Sequence, residues 1–73
     1  MNMRKLVGRN FARLRKESGL SQEQVAERAD LTQQYISGIE TGKRNPTIET
    51  LYAIAKAFGV SHVELVLPDG HDD

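Results

Sequence analysis

Residues 21–40 read SQEQVAERADLTQQYISGIE, and the way their polar and apolar side chains alternate decides the fold. Ser21, followed three positions later by Gln24, has the pattern of a capping box, in which each side chain satisfies an orphan backbone donor at a helix start. A helix over Gln22 to Ala29 follows. The connector ADLT is short, and Asp30 stands where the chain must turn sharply, in the left-handed conformation that Asn, Asp and Gly tolerate best. Thr32 caps the next helix, which runs toward Gly42. Val25, Leu31, Ile36 and Ile39 recur at spacings that turn them toward one shared core, and Ala26 is small where the two helices cross. Gln33, Gln34, Tyr35 and Ser37 are left on the opposite side, an unusual choice for a merely solvated face, which favours Glu and Lys.

Outward from this pair the pattern stays helical. Leu6, Val7, Phe11 and Leu14 give a first helix that stops at Gly19. Pro46 forbids continuation of the third helix, and Thr47 caps a fourth, IETLYAIAKAF, with a stripe of Ile48, Leu51, Tyr52, Ala55 and Phe58 before Gly59. Ser61 with Glu64 reads as a second capping box, for a short fifth helix over HVELVL. Pro68, Asp69 and Gly70 then turn the chain into a frayed acidic tail, residues 68–73. The expectation is an all-α chain, one compact five-helix domain over residues 1–73 with its core at about 6–67.

Composition narrows the functional classes. The 73 residues include no cysteine, so neither a disulfide nor a thiolate metal site is available. No apolar run is long enough for a membrane span, and MNMRKLVGRNF lacks the apolar segment of a secretion signal, so a cytoplasmic protein is expected. Formal net charge is zero, but Arg4, Lys5, Arg9, Arg13, Arg15 and Lys16 are unopposed within residues 1–16, while Glu64, Asp69, Asp72 and Asp73 are unopposed within 60–73. A neutral total thus hides a basic pole. Catalytic readings find no support: GIETGK has the wrong spacing for a phosphate loop, His62 and His71 have no second ligand at metal spacing, and Glu17, Glu23, Glu27 and Glu40 are scattered. No metal or cofactor is expected.

Two short helices joined by a tight turn form a helix-turn-helix pattern, whose second helix places its N-terminal part in the DNA major groove. Gln33, Gln34, Tyr35 and Ser37 are then the candidates for reading bases, and Thr32, Lys43, Arg44 and Asn45 for holding phosphates. Each has a blander reading: glutamines and turn residues are commonly just solvated, and Tyr35 can lay its ring on the surface. Arg9 and Arg13, one turn apart on the first helix, are further candidates for backbone contact, against the usual solvated face of a charge run. Gly38 costs about 1 kcal/mol relative to Ala inside a helix. Two explanations are open for it, close approach to DNA or a partner, and tight packing between helices.

The strings LRKESGLSQEQVAERADLT, YISGIETGKRNPTIETL and IAKAFGVSHVEL resemble the Cro/CI-type (XRE-type) helix-turn-helix family over roughly residues 6–67. TQQ at 32–34 is similar to the recognition-helix start of lambdoid phage repressors, and YISGIE followed by RNPT is similar to restriction-modification controller proteins. Asp30 departs from the Gly often found at that turn, and Gly38 from the further base-reading side chain that phage repressors often carry. The resemblance implies a lambda-repressor-like fold, a phosphate contact for Gln22, an ion pair between Arg15 and Glu40, and a homodimer acting on a palindromic operator as repressor or controller. Leu65 is needed in the core while Val63, Val66 and Leu67 cannot all point with it, so these three, with Tyr52, are expected to form the two-fold interface. An antitoxin with a toxin partner and autoregulatory DNA binding is the alternative, and a domain with an inert helix-turn-helix a third. A toxin or RNA polymerase as protein partner is left open.

Overall fold

The computed structural model describes residues 2–71, which fold into four α-helices and one 3-10 helix, with no strand among them. Helix α1 spans Met3–Ser18, α2 Gln22–Ala29, α3 Gln33–Glu40 and α4 Ile48–Phe58; the 3-10 helix is His62–Leu65. Helix α1 begins a turn earlier than its apolar periodicity implies because Asn2 caps it, its Oδ1 accepting from the Lys5 N–H at 3.1 Å. The Ser21/Gln24 capping box is complete in both directions. Asp30 holds φ 57°, the only non-glycine residue with positive φ among those described, and its N–H reaches back to the last carbonyls of α2.

The expected fifth α-helix is a single 3-10 turn. Ser61 Oγ accepts from Val63 rather than from Glu64, so the anticipated capping box does not close, and Glu64 N–H instead donates to the Ser61 carbonyl at 3.0 Å. The cause lies on α1. Asn10, buried at 2 % exposure, donates from Nδ2 to the Leu65 carbonyl at 3.0 Å and to the Leu67 carbonyl at 2.9 Å, taking carbonyls that an α-helix continuing through this stretch would need. Pro68 then closes off continuation.

The core gathers Val7, Phe11 and Leu14 of α1, Val25 and Ala26 of α2, Ile36 and Ile39 of α3, Ile54 and Ala55 of α4, and Leu65. Phe11 meets Phe58 edge-on at 5.3 Å between ring centroids. The α4 stripe is rotated from expectation: Ile54 is fully buried, whereas Ile48 is 86 % and Tyr52 58 % exposed. Positions 51, 54, 55 and 58 make one helical face, and 48 and 52, four apart, share the neighbouring one that the core leaves bare.

Helix α1 packs tightly against the end of α3. A Cβ added at Gly8 would lie 2.6 Å from the Ile39 carbonyl oxygen and 2.7 Å from that of Glu40. The same corner holds the Arg15 guanidinium, which pairs through Nε with Glu40 Oε1 and donates from Nη1 to the Leu20 carbonyl at 2.9 Å. Glu40 Oε2 accepts from the Gln22 amide at 3.2 Å. Helices α1, α2 and α3 are tied at one point, with both carboxylate oxygens occupied.

The acidic end is held rather than frayed as far as it is described. Asp69 accepts from Arg9 at 2.6 Å (Nε to Oδ2) and 3.1 Å (Nη2 to Oδ1), and its Oδ1 also takes the His71 N–H. Asp72 and Asp73, the rest of the expected tail, lie outside the described residues.

Candidate nucleic-acid interface

Helix α3 owes its exposed start to its cap. Thr32 Oγ1 accepts from the Tyr35 N–H at 3.1 Å, which fixes the first turn and leaves Gln33 and Gln34 side by side in solvent. Ile36 and Ile39 anchor the opposite face in the core, so the helix cannot roll without exposing them. Tyr35 and Ser37 are half-buried at the flank of the glutamines.

Behind α3 the chain folds back onto it. Thr41 Oγ1 accompanies the helix end by donating to the Ser37 carbonyl at 3.1 Å, and Gly42 turns with φ 76°. The Lys43 and Arg44 N–H groups both donate to the Gly38 carbonyl, at 2.9 and 3.1 Å. Arg44 then lays its stem across Gly38, where a Cβ would come within 2.5 Å of Arg44 Cγ, and brings its guanidinium carbon 5.5 Å from the Tyr35 ring centroid. Gly38 is therefore the slot through which a side chain from the following loop crosses the exposed face of α3. The close neighbour at Gly38 is thus a side chain of the loop, not the second helix that the helix-packing reading called for.

The remaining candidates are distributed as follows. Lys43 and Asn45 are exposed on the loop, beside Arg44. Gln22 is half-buried at the start of α2 with its amide on Glu40. Arg9 and Arg13 are engaged by acids: Arg9 by Asp69, and Arg13 by Glu17 at 3.5 Å one turn along α1. The Arg9 guanidinium holds the Asp69 carboxyl far below its ordinary value of 3.8, outweighing partial burial, with the His71 N–H adding to the effect. Arg4 and Lys5, which the sequence reading passed over as mere members of a charge run, carry no ion pair among the described residues.

A second surface lies on α4 and the segment after it. Tyr52, Val63, Val66 and Leu67 are all exposed, as is Ile48, which the sequence reading had placed in the core stripe. Ile48, Leu51, Tyr52, His62 and Val66, with Glu49 at the rim, enclose an apolar hollow of about 540 Å³. Among the described residues no group of three or more His, Cys, Asp or Glu side chains is placed to hold a metal ion, and no helix is long and apolar enough to cross a membrane.

Comparison with known proteins agrees with this arrangement. The helix-turn-helix family profile matches residues 11–65. The chain is 65 % identical over 68 residues to an uncharacterized HTH-type transcriptional regulator, y4dJ, of Sinorhizobium fredii (strain NBRC 101917 / NGR234), covering 93 % of this chain and 88 % of that one. It is 39 % identical over 66 residues to the control protein C.BamHI of Bacillus amyloliquefaciens, covering 89 % and 82 %. The crystal structure of the restriction-modification controller protein C.AhdI from Aeromonas hydrophila superposes with a TM-score of 0.83 at 32 % identity, covering 85 % of this chain and 94 % of that one. From the capped, amide-bearing α3, the tight α2–α3 turn and these matches together, the chain belongs to the helix-turn-helix family of the XRE type.

Proposed function

We propose that this chain binds double-stranded DNA as a homodimer on a palindromic operator and regulates transcription, as a repressor or a controller protein. The observation that carries the reading is the face of α3: two adjacent glutamines bare at its capped start, flanked by the unpaired cations of the loop after it. Adenine offers an acceptor and a donor side by side in the major groove, the complement of a glutamine amide, so Gln33 and Gln34 read bases, with Tyr35 and Ser37 beside them. Thr32, Lys43, Arg44 and Asn45 hold phosphates, and Gln22 adds one through the N-terminal end of α2 while Glu40 fixes its amide. Regulators named in the comparisons, among them restriction-modification controller proteins, support the transcriptional part of the reading.

The exposed apolar face of Tyr52, Val63, Val66 and Leu67, joined by Ile48, supports the dimer. A two-fold contact there sets the two copies of α3 about 34 Å apart, one turn of DNA. The place of action in this reading is the cytoplasm. Selection of bound sequences from a random duplex pool tests it: enrichment of a palindrome with half-sites one turn apart is expected, and no enrichment over input would remove the reading.

A further inference from the structure

The cations of α1 divide into two sets. Arg9 and Arg13 face acids, whereas Lys5 lies against the loop that follows α3. A Cβ added to Gly42 would sit 3.0 Å from Lys5 Cγ and 3.3 Å from Lys5 Cα, so Lys5, an exposed residue, packs the inner part of its stem on the backbone of that loop. Arg4 borders a hollow whose far wall is Asn45 and Pro46, on the same loop. The loop carries Lys43 and Arg44 and has no acid between Thr41 and Thr47, and the first turn of α1 has none either. Glu40, the acid immediately before this loop in sequence, is occupied by Arg15 and Gln22.

We propose that the first turn of α1 is a further grip on the DNA backbone, with Lys5 holding a phosphate next to that held by Lys43, and Arg4 supporting it. The inference rests on the reading that the chain binds DNA. A charge run on a helix is ordinarily a solvated face. Lys5 differs because its backbone and Cγ are packed against the loop that delivers Lys43 and Arg44, so the root of its side chain is held beside that loop before DNA arrives. Four cations without a carboxylate partner, on this loop and on the helix turn beside it, also supply what the zero net charge conceals, a local positive field able to draw in a polyanion.

The test uses a fluorescent random-sequence duplex about three helical turns long, titrated at several salt concentrations with wild type, Lys5→Gln, Arg4→Gln, Lys5→Arg and Lys56→Gln. Lys56 lies on the other side of α4, near Ala29 and Asp30, and serves as the control. Lys5→Gln should lower the slope of log affinity against log salt by about 0.9 per bound copy, about 1.8 for the homodimer, with Lys5→Arg restoring it and Lys56→Gln leaving it at the wild-type value. Thermal melts confirm that each variant is folded. If wild type binds while Lys5→Gln keeps the wild-type slope, the grip does not exist and DNA binding stands; if wild type binds no duplex, the DNA reading falls and takes this one with it.

Discussion

Two glycines inside helices should respond to the same substitution in opposite ways. Alanine is favoured over glycine in a helix interior by about 1 kcal/mol, so propensity alone has both Gly8→Ala and Gly38→Ala stabilising. At Gly8 the new Cβ meets backbone: two carbonyl oxygens at 2.6 and 2.7 Å, well inside the 3.4 Å at which ordinary contact begins. Helices α1 and α3 must part by several tenths of an ångström, at the corner where Arg15 holds Glu40. Overpacking of this kind costs about 1–3 kcal/mol, here toward the upper end because neither oxygen can swing away, which leaves a net loss of about 1–2 kcal/mol. For a domain of this size, at about 4–8 °C per kcal/mol, the melting temperature should fall by about 5–15 °C. At Gly38 the Cβ meets only the Arg44 stem, which can swing out; the helix gains about 1 kcal/mol and loses an exposed cation–π contact of about 0.5–1 kcal/mol. Gly38→Ala should therefore melt within a few degrees of wild type yet bind DNA more weakly, because Arg44 no longer lies across α3. Thermal melts by circular dichroism, with duplex titration of the folded variants, separate the two. A Gly8→Ala variant that melts above wild type would refute the packing argument.

Gln33→Ala and Gln34→Ala should each lose about 1–3 kcal/mol on the selected operator while binding scrambled duplex almost as wild type does; an unchanged ratio of the two affinities would remove base reading from the glutamines. A double-mutant cycle on Arg15→Met and Glu40→Gln should give a coupling of about 1–3 kcal/mol in denaturant unfolding, since each side chain is largely covered and both have second partners. Zero coupling would mean two independent charges. The Asp69 carboxyl, read by NMR titration, should protonate well below its ordinary value and revert toward it in Arg9→Gln. Because the native value is depressed, its stabilising contribution is whole above the ordinary carboxylate range and is lost as pH falls toward the native value. Val63→Asp should shift sedimentation from dimer to monomer at matched concentration, and a wild type that sediments as a monomer at high concentration would refute the interface.

The helix pair at the centre was legible because each of its signals is local. Ser21 with Gln24, Asp30, and Thr32 act within a few residues, and the apolar positions 25, 26, 36 and 39 repeat with the helical period. What sequence misplaced depends on groups far along the chain. The segment 61–67 has the capping and apolar pattern of a helix, but Asn10, fifty-five residues before Leu65, takes its carbonyls. The α4 stripe was wide enough to admit two choices of buried face, and only packing against its neighbours selects Ile54 over Ile48 and Tyr52. The candidate site divides the same way: the exposure of Gln33 and Gln34 follows from the helix they start, whereas the pairing of Arg9 with Asp69 and the passage of Arg44 over Gly38 are long-range or loop-dependent. Sequence therefore ranked Arg9 and Arg13 above Lys5 with no means of seeing which cations were already engaged.

Asn10 and Gly8 are two residues apart on one rigid rod, the first holding the turn that carries Val66 and Leu67, the second pressed on the end of α3. In the proposed dimer this makes α1 a fixed gauge between the contact that joins the two copies and the helix that each copy inserts into DNA. An operator lengthened by one base pair moves its half-sites about 3.4 Å further apart and rotates them by roughly a tenth of a turn, and no side-chain adjustment along that rod can follow. The protein would then discriminate by spacing as well as by sequence, rejecting sites whose letters are right but whose interval is wrong.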